Sequence, residues 1–285
     1  MCTEHGLHLL QDCPPAEGPS LSRRAALVAT ATAASAVLVG VATPAQAAAS
    51  APARRWSRHG LVDLTYPLGP EFPAFAPGEE ARRRTVVQIE PDGYYMQEWT
   101  LIEHTGTHVD APGHFAKGGR LADRIAVAEL ITPAVVIDIA AKAARNPDAL
   151  VTVDDVRAFE RRHGTIPTNA AVLMYSGWGA KVGSVDAYRG TDAAGMLHFP
   201  GFDPEAATWL LRHRRIRSLG VDTLSIDRGE SETFDTHLIV NGADRYGIEN
   251  LANLHCIPPT GATITVGLIP FRQGSGGQAR VFASW

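Results

Sequence analysis

The feature that most constrains this chain is residues 104–115, His-Thr-Gly-Thr-His-Val-Asp-Ala-Pro-Gly-His-Phe. His104, His108, Asp110 and His114 all fall at even positions there. On an extended backbone alternate side chains share a face, so His104, His108 and Asp110 would converge on one point. A helix would stack His104 on His108 and turn Asp110 away. Thr105, Gly106, Thr107 and Val109 are poor helix formers, and Pro112-Gly113 interrupts any run. The segment is therefore expected to be extended or irregular, presenting nitrogen and oxygen donors to a metal ion. Imidazole with carboxylate suits zinc, manganese or iron rather than an all-oxygen calcium cage. The competing reading is a polar loop whose Thr, Asp and His side chains bond their own backbone.

Around that segment, strand and helix signals alternate. Residues 61–65 read as a strand ended by Pro67, and residues 84–89 and 94–103 as two more, the last feeding into His104. Trp99, on the face opposite His104, is assigned to the core. Residues 68–78 form a loop with Phe72 and Phe75, either packed down on itself or walling a pocket. Residues 121–130 suggest a short helix, and 134–139 and 170–175 buried strands. Thr152 with Asp154 and Asp155 opens a helix reaching His163. Asp203-Pro204-Glu205 opens another, through Trp209 to His213. Leu219 to Asp222 is a further strand. This alternation indicates an α/β fold. Without internal repeats, low-complexity tracts or a clean linker, residues 59–285 read as a single domain. The formal net charge of −4 gives no electrostatic case for nucleic acid. Glycine-rich phosphate motifs and a Gly-x-Ser-x-Gly elbow are absent.

The N-terminal residues differ. Arg23-Arg24 precedes an uncharged run from Ala25 to Ala42, followed by Ala45-Gln46-Ala47. That order is expected of a secretory signal peptide over residues 1–47, and the paired arginines resemble the twin-arginine type, with Ala26 where a Phe is usual. The alternative is an uncleaved anchor, but the run is at the lower edge of a membrane span and rich in Ala and Thr. Residues 48–58 read as a linker. The expectation is a secreted, extracellular protein with no stable membrane anchor after cleavage.

The pattern His-x-Gly-Thr-His-x-Asp-x-Pro-x-His-Phe resembles the signature of the cyclase family of metal-dependent hydrolases, which includes bacterial kynurenine formamidases and isatin hydrolases. Residues 104–115 match at every signature position. Downstream, His163, His198, His213, His237 and His255 are all open as further ligands on composition alone. The resemblance chooses among them. Residues 232–237, then Gly247-Ile248-Glu249-Asn250-Leu251, are similar to the family's second motif and imply His237 and Glu249. Residues 220–227 also look like the family, with Asp222 and Asp227 as positioning residues. The resemblance runs from Leu61 to the C-terminus. It implies a mixed β-sheet closing toward a barrel with outer helices, and a homodimer. It implies one or two divalent ions, zinc or manganese, on His104, His108, Asp110, His237 and Glu249, with His114 as general acid–base.

The implied reaction is hydrolysis of a non-peptide C–N bond in a small-molecule formamide or cyclic amide. Two other readings stand beside it. One is a lactone hydrolase or cyclising dehydratase on the same metal. The other is a secreted binding protein whose metal only staples loops, in a closed coordination shell. Tyr175-Ser176-Gly177-Trp178 departs from an Arg-Thr-Gly-Trp pattern in the family, which removes a partner for an anionic substrate. Trp178, Phe72 and His198 are the candidate substrate contacts, with Phe75 and Phe199 as further aromatic candidates.

Overall fold

The computed structural model describes residues 60–285; the expected signal peptide and the 48–58 linker lie outside them. In chain order the strands are β1 (Leu61–Asp63), β2 (Arg82–Val87), β3 (Met96–Thr100), β4 (His108–Asp110), β5 (Ile131–Asp138), β6 (Leu150–Val151), β7 (Ala171–Tyr175), β8 (Gly201–Phe202), β9 (Ser218–Val221), β10 (Tyr246–Glu249), β11 (Ala262–Leu268) and β12 (Gly276–Ser284). The α-helices are α1 (Ile89–Asp92), α2 (Ala140–Ala143), α3 (Val153–His163), α4 (Val185–Arg189), α5 (Pro204–Arg214) and α6 (Asp235–Gly242).

Strands β12, β11, β5, β7, β9, β10 and β4 pair in that order, and β4 bonds back to β12, so the sheet closes into a seven-stranded barrel. Strand β1 adds to the free stretch of β12 beyond β4. The run β5-β7-β9-β10 is parallel, and β4, β11 and β12 are antiparallel to their neighbours. Parallel neighbours require crossovers, and α3, α5 and α6 lie in the three crossovers of that run. Alternation along β7 shows the two layers. Ala171 and Leu173 pack inside the barrel with Val109, Ile248 and Val281, while Val172 and Met174 pack outward with Val156, Leu210 and Val240. Being covered on both faces, β7 is a continuous apolar run.

The helix starts follow from their caps. The Thr152 hydroxyl accepts from Asp155 N, and the Asp155 carboxylate accepts from Thr152 N, a reciprocal box that starts α3. Asp203 caps α5 with Pro204 in its first position. Two expectations change. Residues 121–130 are not one helix but two 3-10 turns, Ala122–Arg124 and Val127–Glu129, because Ala126 between them is extended. Trp99 is not core. It lies on a two-stranded ribbon, β2 with β3, on which no residue is buried, and Arg83 sits over its ring. Among the described residues, no layer covers that ribbon.

Candidate active site

Strand β4 lies between β10 and β12, and its register with β10 sets His108 opposite Glu249 and Asp110 opposite Gly247. Val109 and Ile248 point into the barrel core, so His108, Asp110 and Glu249 share the other face. The pleat brings these three together as the sequence pattern requires. Gly247 is needed there, because a Cβ at that position would lie 2.9 Å from Asp110 Oδ2. His104 arrives differently. Residues 103–107 are a turn, with Gly106 at φ +75°, so His104 folds back rather than continuing the strand face. Its Nδ1 stands 2.6 Å from Asp110 Oδ1 and its Nε2 2.9 Å from Ser275 Oγ.

The second half of the site comes from α6 and the end of β10. His237 Nδ1 donates to Asp227 Oδ2 at 2.6 Å, which turns Nε2 toward Asp110 Oδ2 (3.4 Å) and Glu249 Oε1 (3.2 Å). The Asp227 carboxylate also accepts from Thr236 N and His237 N, the free amides at the start of α6. Glu249 Oε1 accepts from Ile226 N at 2.9 Å. The two halves meet at one carbonyl: Gly106 O accepts from His108 Nδ1 (2.8 Å) and from Asn250 Nδ2 (3.0 Å).

With its Nδ1 spent on Gly106 O, His108 has only Nε2 left. That atom is buried and has no hydrogen-bond partner among the described residues. It lies 3.2 Å from Asp110 Oδ1 and 3.4 Å from Glu249 Oε2. Ligands about 2.0–2.1 Å from a tetrahedral ion stand about 3.3–3.4 Å from one another. An unpaired buried nitrogen is costly, and two imidazoles and two carboxylates at this spacing suit a divalent ion. The residues present therefore fit a metal: His108, Asp110 and Glu249 lie close enough to share one ion, and His237 approaches the other oxygens of the same two carboxylates. A second possible ligand group, His104, Asp110 and His114, shares Asp110 with the first.

The electrostatics agree. Burial alone would lower His108, but the Asp110 and Glu249 carboxylates raise it to about 10. Burial likewise opposes the charged form of His237, and Asp110, Asp227 and Glu249 carry it well above the usual imidazole range. Burial would raise Asp110, but His108 and its other imidazole partners hold it well below the carboxylate range. The carboxylates thus attract positive charge, as protons or as a cation. His114 goes the other way. Burial, with His104 and His237 nearby, lowers it to about 4 against the pull of Asp110 and Glu249. Its ring stacks on His104, centroids 3.9 Å apart.

These groups open into a cavity of about 260 Å³ walled by Phe75, Ile102, Phe115, Leu224 and Phe234. Phe234 holds φ +53°, a left-handed conformation unusual for a bulky side chain. Its ring centroid is 5.4 Å from that of Phe115 and 6.2 Å from that of Phe75. Among the described residues, Glu79 is the one charged residue on the wall besides the His104–Glu249 cluster, and no Arg or Lys lines it.

Three expected substrate contacts lie elsewhere. Phe72 is buried against Tyr66 and Tyr188. Trp178 is buried in the same cluster, its Nε1 donating to Tyr188 O at 2.6 Å. Asp222 holds that segment down by accepting from Ser176 N, Ser176 Oγ and Trp178 N. His198 pairs with Asp148 at 2.9 Å, away from the cavity. The cavity-facing aromatics, apart from Phe75, were missed. Phe115 was visible as the last residue of the signature, and Phe234 as the aromatic three residues before His237.

A family model described as "Putative cyclase" matches residues 62–228. The chain is 31% identical over 240 residues to an isatin hydrolase of Roseibium aggregatum, spanning 78% of this chain and 90% of that protein. It is 27% identical over 192 residues to a kynurenine formamidase of Bordetella avium, spanning 67% and 82%. Among solved structures, isatin hydrolase A from Ralstonia solanacearum shares the fold with a TM-score of 0.75 at 36% identity, covering 78% of this chain and 90% of that one.

Proposed function

Because the chain belongs to the cyclase family, we propose that it is a divalent-metal hydrolase that opens the C–N bond of an uncharged aromatic amide, cyclic in preference to N-formyl. The observation that carries this reading is the orphaned Nε2 of His108, set beside Asp110 and Glu249, which with His237 line the floor of an aromatic cavity. One or two zinc or manganese ions held among His108, Asp110, His237 and Glu249 would polarise a carbonyl and acidify a water. Gly106 O and Asp227 keep the Nδ1 protons of His108 and His237 in place, so both imidazoles offer Nε2. His114, kept neutral, takes a proton from the attacking water and delivers it to the leaving nitrogen. Phe75, Phe115 and Phe234 receive a planar ring. The lack of Arg or Lys on the wall among the described residues favours an uncharged substrate over a zwitterionic amino-acid formamide. An open cavity above the ligands also supports catalysis over a closed metal staple.

The test compares isatin, N-formylkynurenine and an aryl lactone on metal-loaded protein. The lactam is expected to have the highest kcat/KM. Preference for the lactone would favour the esterase reading, and turnover of none would end the proposal. His114→Ala is expected to keep the metal and lose kcat by about 100- to 10,000-fold.

The same proposal includes a homodimer and export. The ribbon supports the first. Ile89, Tyr94, Tyr95 and Met96 are exposed on it, and among the described residues each of its strands has one neighbour only. Its base is basic (Arg82, Arg83, Arg84) and its tip acidic (Glu90, Asp92). Across a two-fold axis the base of one copy would meet the tip of the other. Export rests on residues 1–47, and replacing Arg23 and Arg24 by lysine is expected to abolish it in a secretion assay.

A further inference from the structure

The loop before β2 reads Pro77-Gly78-Glu79-Glu80, two adjacent carboxylates that the fold treats differently. Glu80 is exposed, and its carboxylate turns back to accept from Gly78 N at 3.0 and 3.2 Å. Glu79 is half-buried and stands on the wall of the cavity above the ligand cluster. Two reciprocal bonds place it there: Glu79 N donates to Ala76 O at 3.3 Å, and Ala76 N donates to Glu79 Oε2 at 3.1 Å. The same turn is tied to the signature segment, because Thr105 Oγ1 donates to Glu79 O at 3.3 Å. Buried Ala74 and Ala81 hold the loop on either side. Its close fit to the signature segment shows at Gly106, where a Cβ would stand 2.9 Å from Leu68 Cδ1.

With Oε2 taken by Ala76 N, Glu79 keeps Oε1 without a protein partner among the described residues, and no Arg or Lys among them lines the wall to balance its charge. The loop bond needs only an acceptor oxygen, which a neutral glutamine also has. The charge itself therefore calls for a reason, and the reaction supplies one. Opening a cyclic amide breaks the C–N bond, forms a C–O bond to the attacking water and moves a proton from that water to nitrogen. The carboxylic acid so formed loses its proton to solvent, so an uncharged substrate becomes an anion bearing an amine. The product thus acquires the sign that Glu79 carries. Like charges in a cavity walled by aromatic side chains repel more strongly than in water. We propose that Glu79 sorts ligands by charge: its carboxylate disfavours anions in the cavity, which excludes anionic substrates and speeds release of the carboxylate product. This rests on the reading of the cavity as a hydrolase site whose product is a carboxylate.

The experiment compares isatin with a ring-sulfonated isatin as substrates of metal-loaded protein, and titrates the ring-opened product, isatinate, by calorimetry. In Glu79→Gln the ratio of kcat/KM for isatin to that for the sulfonate should fall about tenfold, and isatinate should bind about tenfold tighter, the scale of one unit charge several ångströms away in a partly wet cavity. Glu79→Asp, which keeps the charge, should retain most of the wild-type ratio. Glu80→Gln makes the same change of charge one residue along, off the cavity wall, and should leave the ratio as it is. Glu79→Ala stands in if the glutamine variant fails to fold. An unchanged ratio and unchanged isatinate affinity in Glu79→Gln, or an equal shift in Glu80→Gln, would overturn the charge-sorting role. Wild-type protein that hydrolyses neither substrate, yet binds isatinate more weakly than Glu79→Gln does, would end the hydrolase reading and leave the role of Glu79 standing. Loss of both turnover and that difference in affinity would end both.

Discussion

Strand β4 and the β2–β3 ribbon invert the usual relation between residue type and burial. The three residues of β4 are His, Val and Asp, and all are buried. The ribbon carries Val86, Val87, Met96 and Trp99, and none is buried. Neighbours decide this rather than hydrophobicity. Strand β4 bonds to β10 on one edge and β12 on the other, and α6 brings His237 over its polar face. Each ribbon strand bonds only to its twin. Each region is thus incomplete in its own way. Buried imidazoles and carboxylates with an orphaned nitrogen call for a cation. An exposed apolar hairpin, marginal in water by itself, calls for a covering surface.

The sharpest way to break this comparison is at β4. His108→Ala removes the nitrogen that has no other partner, and should cost more than the 10- to 100-fold typical of groups that act behind a ligand. Metal analysis after gel filtration is expected to find the variant empty and inactive but eluting as the wild type does. Full metal content would show that the cluster is a satisfied polar network and not a binding site.

A smaller and graded effect follows from protonation. Without metal, His108 is raised to about 10 by Asp110 and Glu249 acting against its burial, so it carries a proton at neutral pH. A metal needs the neutral ring and must displace that proton. Affinity should therefore rise with pH up to about 10, tenfold per unit for each proton displaced. Calorimetry in buffers of different ionisation enthalpy should detect proton release at pH 7. His114, lowered to about 4, contributes none above about pH 5. Metal binding that is independent of pH and releases no proton would contradict this account of the floor.

Much of this was legible in the sequence, where local rules suffice. The period-two spacing of His108 and Asp110 predicted their common face, and Thr152 and Asp203 marked true helix starts. His104 was expected on that face too, but the positive φ of Gly106 carries it there by a turn. The rest depended on contacts distant in sequence. Ser275 meets His104 across 171 positions, and glycine is a weak strand signal, so nothing local pointed to the start of β12. Aromatic content suggested a pocket wall without saying which aromatics would form it. Phe72 and Trp178 are drawn into a cluster with Tyr188, whereas Phe234 is turned inward by a backbone conformation that its residue type disfavours.

The ribbon supplies the mildest test, because it should separate assembly from chemistry. None of the residues of β2 and β3 is buried, and none is among the residues lining the cavity, so surface changes there should move monomer stability by only about 0.5 kcal/mol. Arg83→Glu places a negative charge at the ribbon base. In the proposed pairing it would face Glu90 of the partner subunit and weaken the dimer, detected by light scattering across a concentration series. Glu90→Arg alone should do the same, and the double variant should recover association. Because the two single variants change net charge in opposite directions, weakening by both and recovery in the pair distinguish a contact between copies from an effect of net charge. Metal content should stay at the wild-type level throughout. If both single variants remain as associated as wild type, the ribbon is not the dimer surface. If metal is lost along with association, the floor and the ribbon are not independent, and the contrast between them fails.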